Sequence, residues 1–163
     1  MLERAAEATK DAGVEIDLVL GDASTTRLDT QFDSAICICE GAFSLLEQGV
    51  EPLPYHEQIL SNIHAQLKPG GHFLLTALSA FKMIREHSDA DVVDGTFDLV
   101  NTAVTAHHPG PDDTRLTLVE KGFMPAELRA LIQGAGLKCS QCGAGLPGTG
   151  GRDQSRWMST KSW

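Results

Sequence analysis

Two carboxylates stand just past apolar runs, where a sheet would deliver them to a ligand. Asp22 follows Val14 to Leu20 (VEIDLVL) through Gly21, and Glu40 follows Ala35-Ile36-Cys37-Ile38-Cys39. An ionised carboxylate only accepts hydrogen bonds, so it recognises a donor on a ligand or caps the turn beside it. A third run, His72 to Leu78, ends at Ser79. Other reactive side chains offer less. Cys139 and Cys142 have the spacing of half a zinc knuckle or a redox pair, but Cys37-Ile-Cys39 makes a poor second half. The cysteines are read as small buried residues, and no metal site is expected. Cys39 has no base nearby to make it a nucleophile. His107 and His108 sit in a polar turn without acids at ligand spacing and read as loop. Gly145 to Gly151 (GLPGTGG) lacks the lysine of a phosphate-binding loop.

The elements that must position these groups are legible from periodicity. Residues 1 to 12 read as a helix stopped by Gly13. Val14 to Leu20 and Ala35 to Cys39 read as buried strands. Pro52 and Pro54 break the chain before a helix over Tyr55 to Leu67, with Ile59, Leu60, Ile63 and Leu67 on one face. Pro69-Gly70-Gly71 turns the chain into a strand over 72–78 that reads as covered on both faces. Ala42 to Gln48 and Phe81 to Glu86 read as short helical turns. Ser88 to Asp94 reads as loop, and His107 to Asp113 as a turn cluster. Gly95 to Thr105 and Arg115 to Lys121 form a hairpin. Pro125 opens a helix over 126–134, followed by strands over 137–142 and 155–163. Helix and strand alternate, which predicts an α/β fold with a Rossmann-like, mostly parallel sheet and flanking helices. Ligands of such sheets bind beyond the carboxyl ends of the strands, at 21–23, 39–41 and 77–79.

Length and charge narrow the function. The 163 residues suggest one domain over 1–163, and 42% hydrophobic with 21% charged residues is ordinary globular composition. Thirteen basic residues against 22 acidic ones give a net charge of −9, which disfavours nucleic acid. No apolar run approaches the roughly 20 residues that span a bilayer. The start MLERAAEATK has no apolar core of a signal peptide, so a cytoplasmic location and no membrane partner are expected.

Gly21-Asp22-Ala23, then Phe32-Asp33-Ser34-Ala35-Ile36-Cys37-Ile38, then Leu67-Lys68-Pro69-Gly70-Gly71-His72-Phe73 come in an order that resembles class I S-adenosylmethionine-dependent methyltransferases. Phe123-Met124-Pro125-Ala126-Glu127-Leu128 and Ala135-Gly136-Leu137 resemble that family's later helix and strand. The resemblance implies S-adenosylmethionine as cofactor and a small-molecule acceptor. It implies that Asp22 accepts from the adenine amino group, with the Ala23 N–H facing a ring nitrogen. It places Cys39 and Glu40 against the methionine end of the cofactor. Phe43, Leu45 and Leu46 would wall the pocket or pack the core, Met1 and Leu2 would lie by the adenosine, and Phe81, Met83 and the 95–121 hairpin would face the acceptor or cap the sheet. The family's glycine-rich loop and first two strands have no counterpart here, so the domain is expected to be incomplete at its N-terminus. The alternative is a non-catalytic truncated α/β module that self-associates into a homo-oligomer or binds a protein partner through its open sheet edge.

Overall fold

A computed structural model describes residues 2–38, 41–110, 114–144 and 156–162. The central strand is β3 (Leu67–Ala77), and it pairs on both sides. Its parallel neighbour is β1 (Phe32–Cys37); on the other side lie β8 (Arg156–Ser162) and then β7 (Leu137–Ala144), both pairs antiparallel. The sheet order is β1-β3-β8-β7, a mixed sheet among the described strands. The Pro-Gly-Gly turn is present as a loop bulged out of β3. Leu67 pairs with Phe32 and His72 with Ser34, so the four residues Lys68 to Gly71 stand against Asp33 alone. Gly70 takes φ +80°, and a Cβ on Gly71 would stand 2.9 Å from the Lys68 carbonyl, so glycine is required at both.

The helix before β3 is α3 (Pro52–Gln66), three residues longer at its start than the periodicity predicts. A first-turn proline donates no N–H that the helix needs, so Pro52 opens α3 rather than breaking the chain before it. Ile59 and Leu60 of α3 pack on Phe73, Leu75 and Ala77 of β3. Leu128, Leu131 and Ile132 of α6 (Pro125–Gly134) complete the same core with Phe43, Phe123 and Leu137. The opposite face of β3 is covered less: Leu74 is half-buried and His72 exposed.

A second sheet, all antiparallel, has the order β2-β6-β5-β4. Its strands are β2 (Leu45–Glu47), β4 (Phe97–Asp98), β5 (Ala103–Pro109) and β6 (Arg115–Lys121). The two sheets are stitched at the carboxyl end of β3. Phe123 N–H donates to the Leu78 carbonyl at 2.8 Å, and Ala80 N–H donates back to the Phe123 carbonyl at 3.1 Å. A Cβ on Gly122 would fall 2.6 Å from the Met83 sulfur, so only glycine lets β6 come this close to α4 (Ala80–Glu86).

Three local expectations are corrected. Val14 to Leu20 forms no strand and is exposed throughout, because no described strand lies beside it to take its backbone hydrogen bonds. Ser88 to Asp94 is not loop. It holds α5 (Asp89–Val93), where the Asp91 carboxylate accepts from the Ser88 N–H and hydroxyl, each at 2.7 Å. His107 to Pro109 belong to β5, paired with Thr117, Leu116 and Arg115. The first helix, α1 (Leu2–Ala12), forms as predicted but buries no residue.

Candidate functional site

The loop carrying Asp22 is anchored although no strand leads into it. Asn62 of α3 donates from Nδ2 to the Ala23 carbonyl at 2.9 Å and the Thr26 carbonyl at 2.7 Å. One turn on, Gln66 accepts from the Leu28 N–H at 3.0 Å. Side-chain amides on α3 thus hold the 23–28 loop in place of a ladder.

Asp22 itself closes a tight turn. Its Oδ1 accepts from the Ser24 N–H at 2.7 Å, the Ser24 hydroxyl at 2.6 Å and, more loosely, the Tyr55 hydroxyl at 3.4 Å. Oδ2 takes none of these bonds. The Ser24 hydroxyl, then its N–H, hold the Asp22 carboxyl below its ordinary value, so it is ionised at neutral pH. Burial first, and the negative Asp22 and Glu47 next, push the Tyr55 phenol up, so it stays a donor. The Ala23 N–H makes no hydrogen bond among the described residues. A free acceptor and a free donor therefore sit on adjacent residues.

Asp22 and Tyr55 line a cleft of about 240 Å³ with Leu45, Leu46, Glu47, Val50 and Leu118. A second cleft, about 230 Å³, lies between α4 and the second sheet; its lining includes Leu78, Ser79, Lys82, Glu86, Val104 and Glu120. Leu45 opposes Glu120, Glu47 opposes Leu118, and Val104 opposes Glu120. Opposed residues share a face, so both clefts open on one face of the second sheet.

The residues singled out in the sequence are placed unevenly. Cys39, Glu40 and Met1 lie outside the described residues. Phe43 is core: it is fully buried and stacks on Phe123 at 5.2 Å. Leu45 and Leu46 do line the Asp22 cleft, and Leu2 is half-buried on α1. Met83 lines the second cleft, whereas Phe81 is exposed. His107 bonds Thr117 Oγ1 at 3.1 Å and His108 stands 4.0 Å from Glu120. Among the described residues Cys37, Cys139 and Cys142 form no disulfide, and burial raises the Cys139 pKa. Among the described residues no group of three His, Cys, Asp or Glu is placed to hold a metal. No helix of the described residues is long and apolar enough to cross a membrane.

Two features escape the sequence. Tyr55 reads only as a helix start, and its bond to Asp22 spans 33 positions. Lys121 is the second. It is 1% exposed, and its ammonium donates to Glu127 Oε1 and Oε2 at 3.0 and 3.1 Å, to the Gly122 carbonyl at 2.9 Å and to Thr102 Oγ1 at 3.1 Å. It also lies 4.9 Å from the centre of the Phe123 ring. Thr102 is held at φ +47°, rare for a β-branched residue, and its hydroxyl bonds the Gly122 carbonyl at 2.7 Å.

Residues 1–75 match the family model for a methyltransferase domain. No curated protein matches the sequence. Among solved structures, an S-adenosylmethionine-dependent methyltransferase from Clostridium acetobutylicum superimposes with a TM-score of 0.73 at 13% identity, over 99% of this chain and 70% of that one. The PH0226 protein of Pyrococcus horikoshii gives 0.66 at 17% identity, over 100% and 69%. The glycopeptide N-methyltransferase MtfA, complexed with S-adenosyl-L-methionine, gives 0.54 at 17% identity, over 88% and 59%. The chain therefore spans roughly two thirds of these neighbours. Residues 1–75 are thus similar in sequence to a methyltransferase domain, and the chain shares the fold of these solved structures.

Proposed function

We propose that this protein takes part in S-adenosylmethionine-dependent methyl transfer to a small molecule, with Asp22 and Ala23 reading the adenine edge. The observation that carries this is the unused pair, Asp22 Oδ2 and the Ala23 N–H, on a loop pinned to α3. An amino group beside a ring nitrogen offers one donor and one acceptor, the complement of that pair. Tyr55 and Ser24 fix the other carboxylate oxygen, so the acceptor is oriented before a ligand arrives. Cys39 and Glu40, just before α2 (Gly41–Ser44), are assigned to the methionine end. Ser44 supports that helix against the sheet, its hydroxyl accepting from the Leu78 N–H at 3.1 Å.

When bound, S-adenosylmethionine supplies a methyl group on a positively charged sulfur, to which an acceptor's lone pair adds as the carbon–sulfur bond breaks and its electrons return to sulfur. The chain's own task is orientation and exclusion of water. The hydrogen bonds that join the second sheet to the carboxyl end of β3 support that reading.

Calorimetric titration with S-adenosylhomocysteine and with adenosine tests this. Both bind, and Asp22→Asn weakens both by about ten- to a hundredfold, the size of one charge-assisted hydrogen bond. Because the Asp22 pKa is lowered, affinity holds as pH falls from 7 to 5 and drops only below its ordinary 3.8, as the acceptor is protonated. A folded chain that binds neither nucleoside would overturn the reading.

A further inference from the structure

We infer that the cleft at the carboxyl end of β3 binds a small zwitterionic amine of the α-amino-acid kind. Its volume of about 230 Å³ is too small for a drug-sized ligand, whose sites start near ~300 Å³. Leu78 and Val104 give it an apolar floor. Ser79 is only 6% exposed, yet its hydroxyl neither caps α4 nor bonds any described residue. Its hydroxyl therefore keeps an unused donor and acceptor for whatever occupies the cleft.

The charges around Ser79 are also unspent. Lys82 and Glu86 stand one turn apart on α4, and neither forms an ion pair among the described residues. Glu120 faces them from β6, with the His108 ring 4.0 Å away, too far for a hydrogen bond. One ammonium, two carboxylates and a hydroxyl thus line one small space, beside the His87 ring, whose Nδ1 is engaged by the Met83 carbonyl. A lone anion would meet two carboxylates, and a lone cation would meet Lys82. A zwitterion satisfies both: its carboxylate pairs with Lys82 and Ser79, and its ammonium with Glu86 and Glu120. Naming this ligand the methyl acceptor rests on the methyl-transfer reading; the binding does not.

The test is titration of the isotope-labelled whole chain with L-alanine, ethylammonium and propionate, following amide resonances by NMR. Alanine is expected to shift Ser79, Lys82 and Glu120 and to bind about tenfold more tightly than either single-charge probe. Lys82→Met lowers alanine to the ethylammonium level, and Glu120→Gln lowers it towards propionate. Both positions are at least partly solvent-exposed, so the fold survives the changes. Unmoved resonances, equal affinity for all three probes, or indifference to Lys82→Met would overturn the inference. Alanine binding without S-adenosylhomocysteine binding would reject methyl transfer and leave this site standing; the reverse would reject the site alone.

Discussion

Residues 14–38 and the core built on β3 have similar apolar content and opposite fates. Leu75 and Ile59 are fully buried, whereas Leu20 is 87% exposed and Ile36 69% exposed. The difference is neighbours, not composition. β3 has a strand on either side and α3 and α6 over one face, so its run buries apolar area and pairs its backbone together. Val14 to Leu20 has no such partner among the described residues and stays out of the sheet. β1 is intermediate, with one side paired to β3 and no described strand on the other. An apolar run gives the capacity to be a core strand, and adjacency decides whether that capacity is used.

The sharpest way to break the comparison is a matched pair of truncations. Leu75→Ala should cost about 3 kcal/mol by denaturant melting, from lost burial and the cavity left behind. Leu20→Ala should change stability by less than about 0.5 kcal/mol, as an exposed side chain does. Comparable losses at the two positions would mean that residues 14–20 are buried in solution.

A smaller effect is expected at Lys121, where the core side of the second sheet holds a charge. Lys121→Met keeps most of the stem but strands the Glu127 carboxylate, whose side chain is 29% exposed. A loss of about 2 kcal/mol is expected, below the range for fully buried pairs. Lys121→Met with Glu127→Gln should recover much of it, because the uncompensated charge is gone. Additive losses would show that the pair does not act as a unit.

The smallest effect separates the regions by pH. His56 of α3 is fully buried among Tyr55, Phe43 and Phe123, with Nδ1 bonded to the Pro52 carbonyl. Burial lowers its pKa below the ordinary 6.5, against the pull of that carbonyl. The unfolded chain therefore takes up a proton that the folded chain resists. Stability is full above pH 6.5 and falls as pH drops below it. Thermal melts from pH 7.5 to 5.5 should show Tm declining, and His56→Asn should flatten that slope. A slope unchanged in the variant would assign the effect elsewhere.

Much of this was legible beforehand, for local reasons. Pro69-Gly70-Gly71 announced a turn because proline and glycine act through their own φ angles. Ile59, Leu60 and Ile63 announced a helix face, and Asp22 stood out by its place after an apolar run. Ser79 was marked as a strand end, although nothing local showed that its hydroxyl would lack a partner. The Asp91 cap of α5 is equally local, but its short polar turn carried no periodicity to betray it.

By itself the sequence determined most element types, their order and the α/β class, since these follow from periodicity and from residues that fix their own backbone; strand direction, parallel only between β1 and β3 among the described strands, it did not. Only the tertiary structure decided that Val14 to Leu20 stays exposed, that Tyr55 meets Asp22, and that Lys121 is buried against Glu127 and Phe123. It also decided that Ser79, Lys82, Glu86 and Glu120 share one cleft. Each of these is a matter of which surfaces come together across tens of residues, and burial, pairing and charge compensation have no value until they do.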